Sequence, residues 1–498
     1  MKKLFMGALC LLMTLCASAK IDRPKLVVGI VVDQMRWDYL YYYYDQYGEG
    51  GIKRLLSEGF SCENNMIPYL PTITAVGHAS IFTGTTPALH GIAGNSYLLN
   101  GKFTYCVADS SVHGVGTNSK AGMMSPRNML ASTIGDELKI ATDFKSKVIG
   151  IALKDRAAIL PAGHSANAAY WYDSSVGHFI TSSYYMDRLP DYVEQFNQRY
   201  QTTPGKDMKP TNEGVDLTFK MAETVLDHEK MGQGDVTDML TISVSSTDAI
   251  GHAFGTRGKE NKEVFMELDK DLARFLATLD QKVGKGNYLL FLTADHGAAH
   301  NYNYLRNHKI PAGGFNDDAL KKELNRYLES QFQLPNLITA ILDYRLYLDH
   351  QAIKRSGKSL EEIKATLVDY LNQDERFGFA VDFAKAAQSS VPQLIRERIV
   401  NGYHPRRSGD VIYTLRPNYY DYLDKPDERG TSHGVWNPYD SHIPLVFMGW
   451  HVPHGETSVP TKMVDAVATV CAMLHIQMPN ACIGDAILPV MNQTNPIK

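Results

Sequence analysis

Acidic and imidazole residues follow three apolar, β-rich segments of the chain. Asp33 follows one segment, Asp248 and His252 follow another, and Asp295 and His296 follow a third. The carboxyl ends of strands in an open parallel sheet line the crevice in which such sheets bind ligands. Oxygen and nitrogen donors without thiolates favour zinc, with manganese or iron as alternatives. These five residues therefore predict a metal site at one edge of a sheet.

The spacing of these residues supports a shared cation. Gly251 permits a tight backbone turn between Asp248 and His252, which would let both side chains converge on one ion. A sixth candidate ligand, His433, lies in the glycine-flanked sequence Gly430–Gly434, ahead of the last apolar segment. Each residue alone is more typical of a cap, a turn or a loop, and their joint occurrence favours metal binding.

A candidate nucleophile lies in residues 71–84, where the sequence predicts a loop that leads into a short helix. A hydroxyl at a helix N-terminus faces amide dipoles that favour anions, although Thr72 or Thr74 could simply cap the helix. Threonine alone is a poor nucleophile, but zinc lowers the pKa of bound water to about 7 and would stabilise an alkoxide in the same way. Two cations about 4 Å apart could bind the attacking and leaving oxygens of a phosphoryl displacement. The metal candidates therefore favour a threonine nucleophile over a capping residue.

Five apolar segments predict the strands that position these residues. They are Leu26–Val32, Val148–Leu153, Leu240–Val244, Tyr288–Leu292 and Pro444–Met448. Continuous apolar segments of this length are typical of parallel strands buried on both faces. Apolar residues at three- and four-residue steps between 264 and 279 predict a crossover helix on the sheet. The predicted fold class is α/β, with a central, mostly parallel sheet flanked by helices.

Insertions at about residues 96–145, 160–235 and 300–430 interrupt this alternation. Ser174–Gly177 predicts a hairpin turn between two aromatic strands. The last insertion contains two predicted helices, Leu360–Leu371 and Val391–Ile399, and a predicted strand, Asp410–Leu415. We predict one catalytic domain over residues 20–498, in which the insertions form a cap near the active site.

The composition excludes several classes of protein. A chain of 498 residues with 44% hydrophobic and 21% charged residues is typical of a globular protein, and not of a small disulfide scaffold, a disordered chain or a fibrous repeat. Lys and Arg total 50 and Asp and Glu total 54, so a formal charge of −4 gives no electrostatic reason to expect nucleic-acid binding. A small-molecule partner is favoured.

Residues 1–19 have the pattern of a secretory signal peptide. Met1–Lys3 is positively charged, Leu4–Leu15 is apolar, and Ala17–Ala19 is a small-residue cleavage site. We predict cleavage after Ala19 and a periplasmic or secreted protein. A membrane anchor is disfavoured because about 20 apolar residues are needed to span a bilayer. Lipoprotein anchoring at Cys16 is disfavoured because Leu15 precedes it, and no later segment resembles a transmembrane helix.

Four of the six cysteines remain after this cleavage, namely Cys62, Cys106, Cys471 and Cys482. An even number in an exported chain favours disulfides. Proximity in sequence favours a bond between Cys471 and Cys482, which leaves Cys62 to pair with Cys106. Buried free thiols are the alternative.

Seven sequence blocks together resemble one known family. They are Thr74–His78, His90–Asn95, Leu153–Arg156, Ala168–Asp173, Asp248–His252, Asp295–Gly297 and Ser432–Gly434. Through these blocks nearly the whole mature chain resembles the alkaline phosphatase superfamily and, within it, the bacterial phosphomonoesterases that use a threonine nucleophile. The resemblance implies two Zn²⁺ ions per chain. One would be bound by Asp248, His252 and His433, and the other by Asp33, Asp295 and His296, with the oxygen of Thr74 at the second ion.

The same resemblance implies that Asn95 donates its amide to a phosphoryl oxygen, with a turn-forming asparagine as the alternative. Lys154 and Arg156 alternate along the end of a predicted strand, so both would point to one side and clamp a phosphoryl dianion. Solvated surface residues are the alternative. Two added cations favour the dianion of a monoester over the monoanion of a diester. Nucleotide pyrophosphatases/phosphodiesterases would by resemblance have an apolar pocket here, so that activity is the alternative.

We therefore predict an exported alkaline phosphatase that hydrolyses a broad range of small phosphate monoesters through a covalent phosphothreonine intermediate. Sulfatases are excluded because no Cys-x-Pro-x-Arg block or serine equivalent occupies the region of Thr74. A non-catalytic zinc- or ligand-binding exported protein is a minor alternative, which the complete set of candidate ligands disfavours. The sequence predicts no oligomeric state.

Overall fold

The computed structural model describes residues 21–491. The predicted signal peptide and its two cysteines lie outside the described residues, so export stays a prediction. Within residues 21–491, no helix has both the length and the apolar character needed to cross a bilayer.

The strands of the described residues are numbered in chain order. They are β1 (Leu26–Val32), β2 (Phe60–Cys62), β3 (Asn65–Met66), β4 (Ser96–Leu99), β5 (Lys102–Tyr105), β6 (Gly114–Val115), β7 (Val148–Ala152), β8 (Ala168–Asp173), β9 (His178–Ser182), β10 (Asp238–Val244), β11 (Tyr288–Thr293), β12 (Gly313–Phe315), β13 (Ile338–Leu342), β14 (Arg345–Leu348), β15 (Phe377–Asp382), β16 (Val411–Leu415), β17 (Tyr419–Asp421), β18 (Leu445–Gly449), β19 (Gly455–Thr457) and β20 (Thr461–Lys462).

The α-helices are numbered in the same way. They are α1 (Tyr39–Tyr42), α2 (Ile52–Glu58), α3 (Thr74–Thr83), α4 (Pro87–His90), α5 (Ile134–Ala141), α6 (Asp155–Ala162), α7 (Asp191–Arg199), α8 (Asn212–His228), α9 (Ser246–Phe254), α10 (Lys259–Leu279), α11 (Tyr302–Asn307), α12 (Asp317–Phe332), α13 (His350–Ser356), α14 (Leu360–Asn372), α15 (Gln393–Gly402), α16 (Pro438–Ser441) and α17 (Asp465–Leu474).

A ten-stranded sheet forms the centre of the molecule, in the spatial order β19-β2-β18-β11-β1-β10-β7-β8-β9-β6. Its five middle strands, from β11 to β8, run parallel. Every residue of β1 is buried. Since successive side chains of a strand point to opposite faces, both faces of the sheet are covered at this strand. The predicted strands that became β1, β7, β10 and β11 are confirmed, as is the amphipathic helix α10 between β10 and β11.

The prediction of a parallel strand at residues 444–448 is wrong in direction. Leu445, at the start of β18, pairs with Thr293, at the end of β11, and the two strands are antiparallel. An apolar segment is equally well buried in either direction, so its composition does not encode the direction. The antiparallel course places the segment ahead of β18, which includes His433, near the carboxyl ends of the parallel strands.

The insertion at residues 300–430, called the cap below, contains a four-stranded antiparallel sheet in the order β13-β14-β16-β15. This sheet and helices α12 and α14 bury a hydrophobic core of their own. The helices and the strand that the sequence predicts in this region are confirmed as α14, α15 and β16. The predicted hairpin turn at Ser174–Gly177 is confirmed between the antiparallel strands β8 and β9.

The prediction of two disulfides is wrong, because all four described cysteines are free thiols. Cys62 packs in the hydrophobic core of the main sheet, whereas Cys106 packs in a separate core, so their side chains cannot meet. Cys471 is buried in the main core as well, on α17. Cys482 packs against Gly84, where a Cβ atom would lie 2.5 Å from its sulfur. The cysteines that the sequence pairs are therefore reduced, and Cys62 and Cys106 lie in separate cores.

Candidate active site

Four neighbouring strands of the sheet bring the predicted residues together. In the order β11-β1-β10-β7, these strands lead into the segments that carry Asp295 and His296, Asp33, Asp248 and His252, and finally Lys154 and Arg156. Asp33, Asp295 and His296 are fully buried, and Asp248 is 4% exposed. Residues from distant parts of the sequence therefore share one cleft because their strands are adjacent.

The geometry of Asp248 and His252 differs from the predicted turn. β10 ends at Val244, and both residues lie on helix α9, four positions apart on the same face. His252 Nε2 lies 3.1 Å from Asp248 Oδ1. Gly251 is needed for a different reason than the predicted one, because a Cβ atom there would lie 1.9 Å from Gln34 Oε1.

Two overlapping groups of side chains have the geometry of a metal site. Asp248, His252 and His433 form one group, and Asp33, Asp248 and His296 form the other, with their donor atoms within 4.8 Å of one another in each group. Asp248 thus lies between the two groups. Asp295, which the resemblance assigns to the second ion, has its Oδ2 atom 3.5 Å from His296 Nε2.

All three histidines direct Nε2 to this cluster, because Nδ1 is engaged elsewhere. The Nδ1 atoms of His252, His296 and His433 lie 2.9, 3.0 and 2.7 Å from backbone carbonyl oxygens. A carbonyl oxygen can only accept, so each Nδ1 carries a hydrogen, and in the neutral ring the Nε2 lone pair faces the carboxylates. Burial and the neighbouring His296 and His252 hold the pKa of His433 well below its ordinary value. Metal-binding histidines are commonly oriented by such carbonyl bonds.

Asp33 is short of positive charge. Burial and the charges of Asp248 and Asp295 hold the pKa of Asp33 well above its ordinary value. Asp33 Oδ1 and Asp295 Oδ2 are buried and accept no hydrogen bond from residues 21–491. Buried charges and unpaired acceptors of this kind are costly unless a cation compensates them. Three carboxylates and three imidazoles without a thiolate are the donors that Zn²⁺ accepts, so the residues fit a divalent metal centre.

Lys154 supplies part of the missing positive charge. Its Nζ atom lies 2.6 Å from Asp33 Oδ2 and 2.6 Å from Asp248 Oδ2. Burial lowers the pKa of this amine, but the two carboxylates outweigh burial and raise it above its ordinary value. Lys154 therefore acts as a fixed cation beside the two candidate metal groups.

The predicted strand alternation of Lys154 and Arg156 is wrong. β7 ends at Ala152, Lys154 immediately precedes α6, and Arg156 lies in the first turn of that helix. Arg156 Nη1 donates to the Tyr105 hydroxyl at 3.2 Å. Its Nε atom is buried and donates to no acceptor among the described residues. An unpaired buried donor of this kind is suited to bind an anion.

Thr74 is the first residue of helix α3 and is 2% exposed. The N-cap residue of this helix is Ile73, which makes no side-chain cap bond, so the alternative of a merely capping threonine does not hold. Thr74 Oγ1 lies 3.4 Å from His296 Nε2. Thr72 points elsewhere, since its hydroxyl donates to Val435 O at 3.0 Å. The hydroxyl of Thr74 is therefore the one that adjoins the metal candidates.

Asn95 is oriented by the same helix. Its Oδ1 atom accepts a hydrogen bond from the backbone N–H of Ala75 at 3.1 Å. Because the carbonyl oxygen is engaged, the amide nitrogen is the atom left to donate to a ligand beside Thr74.

Two further residues support the site and were missed by the sequence reasoning. Gln34 directly follows Asp33, and its backbone N–H donates to Asp295 Oδ1 at 3.1 Å while its Nε2 donates to Asp248 Oδ1 at 2.6 Å. His78 donates from Nδ1 to Thr74 O at 2.8 Å and lies 3.3 Å from Asp295 Oδ2. His78 belongs to the Thr74–His78 block, which was the signal that could have identified it.

The chain is similar to several known proteins. A model of the type I phosphodiesterase / nucleotide pyrophosphatase family matches residues 27–436. The chain is 44% identical to a "Calcium-transporting ATPase" of Myroides odoratus, over 96% of both chains. It is 42% identical to the alkaline phosphatase PafA of Elizabethkingia meningoseptica, over 95% of both chains. It is 43% identical to the alkaline phosphatase PhoV of Synechococcus elongatus, over 95% of this chain and 94% of that protein.

The fold is similar as well. A crystal structure of alkaline phosphatase PafA superposes with a TM-score of 0.91 at 41% identity, over 95% of this chain and 99% of that chain. The predicted fold class, a mostly parallel central sheet flanked by helices in the arrangement of the alkaline phosphatases, is confirmed.

Proposed function

The chain belongs to the type I phosphodiesterase / nucleotide pyrophosphatase family, within the alkaline phosphatase superfamily, and on this basis we propose that it is an alkaline phosphatase that hydrolyses phosphate monoesters. The observation that carries the proposal is the Thr74 hydroxyl at a helix N-terminus, 3.4 Å from a histidine of a cluster of buried carboxylates and imidazoles. Two Zn²⁺ ions bound by this cluster would supply Lewis acidity to the attacking and leaving oxygens.

The chain's own residues account for the rest of the reaction. Thr74 Oγ attacks phosphorus, the bond to the leaving oxygen breaks, and the released alcohol takes up the proton that the threonine loses. Water then cleaves the phosphothreonine, which restores the hydroxyl and releases phosphate. The Asn95 amide and the N-terminal dipole of α3 hold a phosphoryl oxygen during both displacements.

Arg156 and Lys154 favour the dianionic monoester. Arg156 has an unpaired buried Nε atom, and Lys154 holds its charge between Asp33 and Asp248. Two positive charges stabilise a phosphoryl group of charge −2 more than the monoanion of a diester. The terminal phosphoryl group of ATP is also a dianion, so an ATPase activity like the one named for the Myroides odoratus relative would use the same residues.

The test is a comparison of kcat/KM for a phosphate monoester, a phosphate diester and a sulfate ester with the same leaving group. We expect the monoester to exceed both others by at least about 10²-fold, because only it presents the dianion. A preference for the diester would instead support nucleotide pyrophosphatase/phosphodiesterase activity. This activity is the second candidate function, because the matching family is described by it.

The charged clamp gives a sharper prediction. Arg156→Ala should lower kcat/KM for the monoester by about 10²-fold and for the diester by less than about 5-fold, since a hydrogen bond to a charged group contributes about 1.5–3 kcal/mol. Tyr105→Phe is the matched control, because it keeps the guanidinium and removes the hydroxyl that accepts from Arg156 and donates to Asp155 Oδ1 at 2.5 Å. Equal losses for the two substrates in Arg156→Ala would contradict the clamp. Arg156 is a better test than Lys154, because loss of Lys154 would also leave two ligand carboxylates uncompensated.

A further inference from the structure

The tip of one cap hairpin lies between two segments of the candidate active site. Leu342 on β13 pairs with Arg345 on β14, so Asp343 and Tyr344 form a two-residue turn. Their φ angles are 50° and 64°. Both positive values match a type I′ hairpin turn, but a bulky tyrosine rarely adopts this conformation. Such a turn persists only where surrounding contacts hold it.

Arg345 connects this turn to the loop that carries Asn95. It is fully buried. Its Nη2 atom donates to Asp343 Oδ2 at 2.8 Å, and its Nη1 atom donates to the backbone oxygen of Ala93. Gly94 packs directly beneath the pair, since a Cβ atom there would lie 2.5 Å from Arg345 Nη2 and 2.5 Å from Asp343 Oδ2. The cap thus holds the backbone that immediately precedes Asn95.

Asn95 is in turn hydrogen-bonded to the helix that begins with Thr74. Asn95 accepts a hydrogen bond from Ala75 N–H, the residue after Thr74, at 3.1 Å. A displacement of the loop at residues 93 and 94 would therefore change the position of the Asn95 amide relative to the Thr74 hydroxyl. Errors of about 1 Å in such geometry can cost about 10²-fold in rate.

Tyr344 holds the other side of the turn. Its hydroxyl donates to the backbone oxygen of His433 at 3.4 Å and accepts from Asp421 N–H at 3.0 Å. Its ring packs on Gly434, where a Cβ atom would lie 2.8 Å from Tyr344 Cε2. The turn is therefore fixed against the segment of one candidate metal ligand while it holds the loop of Asn95.

We propose that Arg345, held by Asp343, is a positioning residue that fixes Asn95 relative to Thr74 during phosphoryl transfer. Asp343 serves to neutralise a cation that would otherwise be buried without a partner. The inference rests on the proposed function, because it assigns Arg345 an effect only through the amide of Asn95.

A double-mutant cycle tests this inference, with phosphate-monoester hydrolysis by full-length variants as the readout. We expect Asn95→Ala to lower kcat/KM by about 10²-fold and Arg345→Met by at least about 10-fold. The double variant should lie within about 3-fold of Asn95→Ala alone, because Arg345 then has no amide left to position. If the loss of kcat/KM in the double variant equals the product of the two single losses, the two residues act independently and the proposal is overturned. An unchanged rate in Asn95→Ala would instead refute the role of Asn95 in the proposed function, and the inference would fail with it.

Arg407→Met is the matched control for loss of a buried cap arginine. Arg407 also donates to this loop, at Gly91 O, and to Asn128 O at 2.7 Å. It should lower the melting temperature much as Arg345→Met does but change kcat/KM by less than about 3-fold. If Arg407→Met lowers kcat/KM as much as Arg345→Met does, loss of any buried cap arginine has this effect, and the specific role of Arg345 is overturned. If Arg345→Met does not fold, Asp343→Asn takes its place in the cycle with the same criteria, because asparagine tolerates the positive φ and removes only the charge.

Discussion

Replacing Thr74 with alanine is expected to abolish formation of a covalent phosphoenzyme and to lower kcat by at least about 10⁴-fold. The variant removes the one hydroxyl that lies 3.4 Å from His296 Nε2 at the start of α3. It should leave the fold intact, because Thr74 follows the N-cap residue Ile73 and its side chain does not cap the helix. Rapid quenching of a reaction with labelled monoester would measure the phosphoenzyme, and steady-state assays would measure kcat.

Two hydroxyl variants serve as controls for this experiment. Thr74→Ser keeps the attacking oxygen and should retain both the phosphoenzyme and turnover within about 10-fold. Thr72→Ala removes a neighbouring hydroxyl that donates to Val435 O, so it should reduce stability by about 1 kcal/mol without loss of the phosphoenzyme. Full turnover or covalent phosphate in Thr74→Ala would disprove the nucleophile.

The ends of the central strands could be predicted from the sequence with little error. β1 occupies the predicted residues Leu26–Val32, and Asp33 follows it directly. β11 ends at Thr293, two residues before Asp295. A strand buried on both faces is a continuous apolar segment, so the first acidic residue after it marks the carboxyl edge of the sheet. That edge is common to all the parallel strands, which is why these residues could be expected to converge.

Local geometry after the strands could not be predicted in the same way. Asp248 and Lys154 were assigned to strand ends, but helices α9 and α6 begin within a few residues of β10 and β7. The four-residue spacing of Asp248 and His252 fits a helix face as well as a glycine turn. The helical backbone of Ser246–Phe254 distinguishes the two explanations, because it contains both residues.

Contacts between segments that are distant in the chain could not be predicted from the sequence. Arg345 donates to Ala93 O across 252 positions of the chain. No spacing or periodicity connects the two segments, since the contact depends on how the cap sits on the loop of Asn95. The wrong pairing of Cys62 with Cys106 has the same cause, because their sequence positions do not show that the two side chains enter different hydrophobic cores.

Removal of metal by a chelator is expected to lower kcat/KM for the monoester by about 10³-fold or more, and added Zn²⁺ should restore it. Lewis acidity of bound zinc supplies several kcal/mol of transition-state stabilisation, and each 1.36 kcal/mol corresponds to a tenfold rate. Elemental analysis of the purified enzyme should find about two zinc ions per chain, the arrangement that a two-metal site requires. Chelator-insensitive activity in a protein that contains no metal would reject the metal centre.

The overlap of the two ligand groups makes the metal content of single variants informative without any assay of activity. His252 belongs to one group only, so His252→Asn should retain about one zinc ion. Asp248 belongs to both groups, so Asp248→Asn should retain less than about one zinc ion per chain. His350→Asn is the matched control, because His350 also pairs with an aspartate, Asp410 at 2.7 Å, but lies on the cap outside both groups. Equal zinc content in His252→Asn and Asp248→Asn would contradict a carboxylate shared between two ions.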